Sequence, residues 1–145
     1  MENRIYRDQR SESVVYGCIK NIIGDELNQH RRHNRDVMQT LPSAETWSLV
    51  NREMFALNEP GASDFGLSTE VVHFGACYQG VEHEWRYWLE QFEALLRKMY
   101  WFSATVHLET EMSGLHSFVF ATDGLGHQPD RSDIRIRCEW VKEAS

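Results

Sequence analysis

The sequence predicts an α+β fold: one antiparallel sheet of three to four strands packed on an aromatic-rich helix, in the element order α-α-β-α-β-β-β. Apolar residues recur at helical spacing over 81–99 and at alternate positions in three segments after Tyr100. The first two of those segments are joined by a linker short enough to force a hairpin, and so an antiparallel pair. With 145 residues and 41% hydrophobic content, the chain can form one domain, 1–145, around one core, with the order of residues 1–10 left open. At this size about 68–70% of the unfolded surface is buried on folding, so neither a metal nor a disulfide is needed as a staple.

From Val15 the apolar residues Val15, Cys18, Ile19, Ile22, Ile23 and Leu27 fall at i, i+3, i+4, i+7, i+8 and i+12, the stripe of an amphipathic helix, with Ser11 or Ser13 available as its cap. The spacing predicts a helix near 12–31. Gly17 and Gly24 each weaken it by about 1 kcal/mol relative to Ala, and Val14-Val15-Tyr16 would also suit a strand. Pro42 and Ser43 open a second helix, with Ser43 as N-cap, Glu45 in the first turn, and Trp47, Val50, Met54 and Leu57 spaced three, four and three. Asn58-Glu59-Pro60-Gly61 ends it. Residues 62–66 are loop-like, and 70–78 read as a strand closed by Gly80.

Val81, Trp85, Trp88, Phe92, Leu95 and Met99 repeat at spacings of four, three, four, three and four, predicting a helix near 81–99. Glu82 with Arg86, Arg86 with Glu90, and Glu93 with Arg97 are opposite-charge pairs one turn apart, and Arg97 and Lys98 close the helix as its dipole prefers. The seam spans under three heptads and is heavy with Trp and Phe, so a sheet is its better partner than a second coiled-coil helix. Alternating segments follow at 102–110, 115–121 and 134–141. Phe102, Ala104, Val106 and Leu108 share one face, and Leu115, Val119 and Ala121 join them if the turn through Glu111-Met112-Ser113-Gly114 is two or four residues long. In the last segment Ile134, Ile136, Cys138 and Trp140 alternate with Arg135, Arg137 and Glu139, so one face is wet.

The formal net charge of −7 is unevenly spread: residues 1–40 carry +1, residues 41–112 carry −7 and residues 113–145 carry −1. An acidic surface repels a phosphate backbone, which argues against nucleic acid and for a partner with a basic surface. The basic run His30-Arg31-Arg32-His33-Asn34-Arg35 is the exception, readable as an anchor for an acidic partner or a phosphate, or as a solvated helix end. Apolar stretches fall far short of the roughly 20 residues that span a bilayer, so no membrane contact is expected. Residues 1–7 lack the apolar segment of a secretory signal, which places the chain in the cytoplasm. Cys18, Cys77 and Cys138 are odd in number, without C-x-x-C spacing, and suit reduced, buried thiols.

Among residues that could carry chemistry, the polar face of the hairpin holds Trp101, Ser103, Thr105, His107 and Glu109, with His116, Phe118 and Phe120 from the next strand. Across a four-residue turn, Glu109 lies opposite His116 and His107 opposite Phe118. A carboxylate beside two imidazoles can orient a general base, while the plainer reading is a cross-strand Glu–His pair worth up to about 1 kcal/mol. His83-Glu84-Trp85-Arg86-Tyr87 begins like the H-E-x-x-H zinc helix, but Tyr87 stands where the second imidazole is needed. Gly124-Leu125-Gly126-His127 lacks the third glycine of a dinucleotide loop, and Asp123, Asp130 and Asp133 do not have EF-hand spacing, so this loop reads as solvated. Neither a metal nor a cofactor is expected.

Five Trp, five Tyr and seven Phe must mostly build the core, yet Tyr87 points away from the helical seam and Trp101 falls on the polar side of the sheet. Exposed aromatics bordered by acids are what a protein-binding surface uses. The run 80–120 resembles, in general character and without a specific motif, small acidic accessory proteins of bacteria such as the immunity proteins that neutralise a toxin domain. That resemblance implies an inhibitor of a toxin or effector domain. The sequence thus predicts first a non-enzymatic protein that inhibits or sequesters a basic protein partner through Glu82, Tyr87, Glu90, Glu93, Trp101, Glu109 and His116. The alternatives are a small hydrolase or lyase working through His107, Glu109 and His116, and a structural subunit that forms a homodimer through its sheet edge or aromatic face.

Overall fold

The structure, a computed structural model, describes residues 12–22, 27–46, 48–56, 69–124 and 126–141. Along the chain come strand β1 (Glu12–Ile22), helix α1 (Leu27–Gln39), 3-10 turns at Ala44–Thr46 and Arg52–Met54, and strands β2 (Phe55–Ala56) and β3 (Thr69–Gln79). A 3-10 turn at Val81–Glu84 runs into helix α2 (Trp85–Arg97), and strands β4 (Ser103–Thr110), β5 (Gly114–Ala121) and β6 (Arg135–Val141) follow. Among the described residues six strands pair antiparallel in the order β2-β3-β1-β4-β5-β6, so the class is α+β with six strands in place of three to four.

Residues 12–22 form a strand where the spacing predicted a helix. Val15 and Ile19 are four apart, which puts them on one face in either conformation. What decides is the position of β1 between β3 and β4, where β-branched residues pack well. Gly17 serves that position: a Cβ there would stand 1.9 Å from the Thr105 carbonyl oxygen and 2.9 Å from Phe74 Cζ. The three strands therefore close only over bare backbone. Helix α1 begins later than expected and carries most of the basic run inward. Arg31 Nε donates to Glu70 Oε2 at 2.6 Å, and Asn34 bonds both the N–H and the carbonyl of Tyr100. His30 stacks on the Tyr100 ring at 3.8 Å, and His33 Nε2 lies 2.8 Å from the Lys98 carbonyl. These four residues fasten α1 to β3 and to the connection between α2 and β4.

The helix expected at 43–57 is absent from the described part of that segment. Ser43 Oγ does cap the Glu45 N–H at 3.1 Å. Beyond it, backbone groups that a helix would use internally are taken by distant partners: the Leu49 carbonyl by the Tyr78 hydroxyl at 2.6 Å, and the Val50 N–H by Gln91 Oε1 at 3.0 Å. The Arg52 N–H also reaches back to the Pro42 carbonyl. Residues 1–10, Ser11, Ile23, Gly24, Trp47, Leu57, the terminator 58–61 and the loop-like run 62–66 lie outside the described residues.

Both helices cover the same face of the sheet. Val15, Ile19, Val72, Phe74, Ala104, Val106, Phe118 and Phe120 are buried there against Met38, Trp88, Phe92, Leu95 and Leu96. Phe92 centres the ring packing, 5.2 Å from Phe74 and 5.3 Å from Phe120. The hairpin between β4 and β5 turns through three residues, Glu111, Met112 and Ser113, and enters β5 at Gly114 with φ 75°. Leu108 therefore pairs with His116 and Glu109 with Leu115. This single-residue change of register moves Leu115, Val119 and Ala121 to the face opposite the core and turns His116, Phe118 and Phe120 toward the helices.

Two further expectations are corrected. All three cysteines are free, but Cys18 is half-buried and Cys77 and Cys138 are exposed: Cys18 and Cys77 stand on the sheet face away from the helices, and Cys138 on the edge strand β6. The segment between β5 and β6 is pinned down at His127. His127 is 2% exposed, with Nδ1 2.7 Å from Asp133 Oδ1 and Nε2 3.0 Å from the Arg97 carbonyl. Its backbone exchanges two hydrogen bonds with Trp101, and the Asp130 N–H donates to the Arg97 carbonyl. Among the described residues, no helix is long and apolar enough to cross a membrane.

Candidate binding cleft

Strand β2 pairs only with His73 and Phe74, and among the described residues no strand lies beside the outer edge of β3 at residues 75–79. A cleft of about 610 Å³ runs along that edge, lined by all five of those residues. Successive strand residues point to opposite faces, so five in a row can line one cavity only if it lies along the strand's edge. Ala44, Ser48, Leu49, Asn51, Glu53 and Met54 form the facing wall, and Val81 and Glu84 close one end. Carried backward, the line of β2 would fill this space, but the chain leaves it in the 3-10 turn at Arg52–Met54.

The facing wall is fixed by polar contacts, partly buried at Tyr78 and exposed at Glu53. The Tyr78 hydroxyl donates to the Leu49 carbonyl and accepts from the Trp88 indole N–H at 3.1 Å. Burial raises the Tyr78 pKa above the ordinary tyrosine value, while the Trp88 hydrogen bond pulls it the other way. Glu53 accepts the Ala44 N–H and lies 3.7 Å from Arg52, an exposed pair that leaves it largely hydrated. Glu84 is exposed at the far end. The cleft thus offers strand backbone, apolar contacts from Met54 and Val81, and two carboxylates. A second cavity of about 240 Å³ lies between the end of α1 and α2, mostly apolar, with Lys98 among its lining residues.

The residues singled out in the sequence are scattered by the fold. Tyr87, 56% exposed, and Glu90 lie on the outer side of α2, with Tyr87 one turn from Glu84. Glu93 accepts from Arg97 at 3.2 Å. Glu82 is half-buried in the preceding 3-10 turn, and its Oε1 has no hydrogen-bond partner among the described residues. Arg86, Arg97 and Lys98 are exposed beside these acids, so the helix surface is of mixed sign. Trp101 is fully buried: its indole N–H donates to the Leu96 carbonyl at 2.8 Å and its ring stacks on His127 at 5.3 Å. It is a core residue and not a surface aromatic.

The expected trio is divided between the two faces of the sheet. His107 and Glu109 lie on the face away from the helices, and His116 on the helix side. His107 Nδ1 instead lies 2.7 Å from Ser117 Oγ, and its ring packs on Tyr16 at 5.1 Å. Partial burial and the charge of Glu109 raise the Tyr16 pKa. His107 and Ser117 line neither cavity. His83 is exposed, and among the described residues no group of three or more His, Cys, Asp or Glu is arranged to hold a metal ion.

Sequence reasoning passed over Tyr78, Glu53 and Glu84 as a group. The available signal was Tyr78 itself: it shares parity with Val72 and Phe74, so its hydroxyl enters the core side and must find a partner there. Comparison with protein-family models, curated proteins and solved structures finds no match, which leaves the geometry of the chain as the ground for its function.

Proposed function

We propose that this protein captures an extended, basic segment of a partner protein as an added strand on the outer edge of β3, and thereby inhibits or sequesters that partner. The observation that carries this reading is the cleft lined by five consecutive residues of one strand. An extended peptide placed there meets backbone N–H and C=O groups for main-chain hydrogen bonds, and flanking surfaces that sort its alternate side chains. The floor is about 16 Å long at the rise of an antiparallel strand, room for a segment of about five residues. Glu53 and Glu84 favour Lys or Arg in that segment, and the exposed Tyr87 stands one turn from Glu84 on α2. The net charge of −7 steers such a partner in.

An NMR titration with a short peptide of alternating valine and lysine tests the reading. The expected result is amide shifts concentrated at residues 75–79, weakened by salt and by Glu53→Gln with Glu84→Gln, and lost when the peptide amides on one edge are N-methylated. Equal binding of a valine–glutamate peptide, or shifts confined to the outer side of α2, would overturn it.

A further inference from the structure

The sheet face away from the helices is uncovered among the described residues, and its register gives it a direction. One row across it reads Cys77, Val14, Glu109 and Leu115. The next reads Gly75, Tyr16, His107 and Ser117, and the third His73, Cys18, Thr105, Val119 and Arg137. Beyond these, Lys20 lies between Val71 and Ser103, and Arg135 lies opposite Ala121. The centre is apolar or weakly polar and half-buried. The charges are segregated: Glu12, Glu109 and Glu111 at one end, Lys20, Arg135 and Arg137 at the other. Arg135 already shares its charge with Asp123, and the Glu111 carboxylate accepts the Glu12 N–H. Lys20 and Glu109 are both exposed, with no side-chain ion pair or hydrogen bond among the described residues.

From this polarity we infer that the open face packs against the same face of a second copy of the chain. A two-fold axis lying in the plane between the two sheets, perpendicular to the strands and level with the gap between the Tyr16 and Cys18 rows, lays the acidic end of each copy on the basic end of the other. Glu109 then lies one strand spacing, about 4.8 Å, to the side of Lys20 of the second copy, within reach of that long side chain, and the contact is repeated by symmetry, as an isologous interface requires. Leaving out the two-residue β2, five strands each about 4.8 Å wide and roughly eight residues long make a face of about 24 by 27 Å, in keeping with the roughly 800 Å² per partner of a stable interface. Two sheets packed this way form an aligned sandwich, with Tyr16, His107 and Val119 in its interior. The interface is centred on β1 and β4, so its failure would leave strand capture at the outer edge of β3 untouched.

Sedimentation equilibrium of the full chain from about 1 μM to about 1 mM tests the inference. The wild type is expected to form a dimer that weakens as salt rises. Glu109→Lys and Lys20→Glu each set like charges opposite one another and weaken the dimer about tenfold or more, whereas the combined Glu109→Lys/Lys20→Glu chain returns to within about threefold of wild type. Val119→Asp abolishes the dimer, with circular dichroism confirming that each variant is folded. A monomer at every concentration, a dimer indifferent to Val119→Asp, or a combined charge swap that fails to restore association would overturn the proposal.

Discussion

Tyr78 joins β3, α2 and the segment facing the cleft through one oxygen atom, which donates to Leu49 and accepts from Trp88. Tyr78→Phe leaves the half-buried Leu49 carbonyl and the buried Trp88 indole N–H without that partner, so a loss of about 1–3 kcal/mol in urea unfolding at neutral pH is expected. The same hydroxyl imposes a pH dependence. Its folded-state pKa is raised above 10.0, so the folded chain holds this proton more tightly than the unfolded chain. The associated stability is complete below the unfolded value of about 10 and is lost as pH rises through the raised folded value. Tyr16 is shifted in the same direction, so the share of Tyr78 is the difference between wild type and Tyr78→Phe: the wild-type melting temperature should fall more steeply above pH 10. Much at this level was written in the sequence. Trp88, Phe92, Leu95 and Met99, predicted as one buried seam, are all buried, because a helix with a single apolar stripe on a sheet has only one way to turn. Trp101 was not legible, since the carbonyl that satisfies its indole N–H and the histidine that covers its ring come from other parts of the chain.

Helix α2 and strand β3 follow their local patterns, while β1 and the hairpin do not, and the reasons differ. In β1 the spacing of Val15 and Ile19 is neutral between helix and strand, and the deciding contacts with β3 and β4 come from distant sequence. In the hairpin the decisive signal was present: Gly114 at φ 75° is the left-handed residue that closes a three-residue loop, and it fixes which side of β5 meets the core. The segment between β5 and β6 is the least legible, because Asp, Gly and Pro mark a turn without showing that His127 will be drawn under it. His127→Ala removes the contacts to Asp133 and to the Arg97 carbonyl and opens a void beside Trp101. A loss of about 2–4 kcal/mol is expected, together with faster tryptic cleavage after the exposed Arg131, read by mass spectrometry. Cleavage at the wild-type rate would show that the segment is held by its backbone bonds alone.

Across the molecule, the −7 that the sequence concentrates in residues 41–112 is dispersed by the fold. Glu70 is paired with Arg31, Glu93 with Arg97, and Glu109 is carried to the far face of the sheet, while Glu53 and Glu84 remain at the cleft. A sum of charge along the chain could not separate these, and a cleft beside a strand edge that no described strand covers has no local pattern to announce it. The expected consequence is that Glu90→Gln with Glu93→Gln changes affinity for the valine–lysine peptide by no more than about twofold, whereas Glu53→Gln with Glu84→Gln lowers it about five- to tenfold at low ionic strength. Isothermal titration at two salt concentrations distinguishes the pairs, since the gap should narrow as screening increases. The strand order carries one more consequence, for the way the chain reaches its final state. β1 precedes in synthesis both strands that flank it, and the last of them, β4, arrives only after both helices have been made. A nascent chain must therefore keep a Val- and Ile-bearing segment from aggregating until its neighbours emerge from the ribosome, and closure of those long loops makes for slow acquisition of structure and dependence on chaperones.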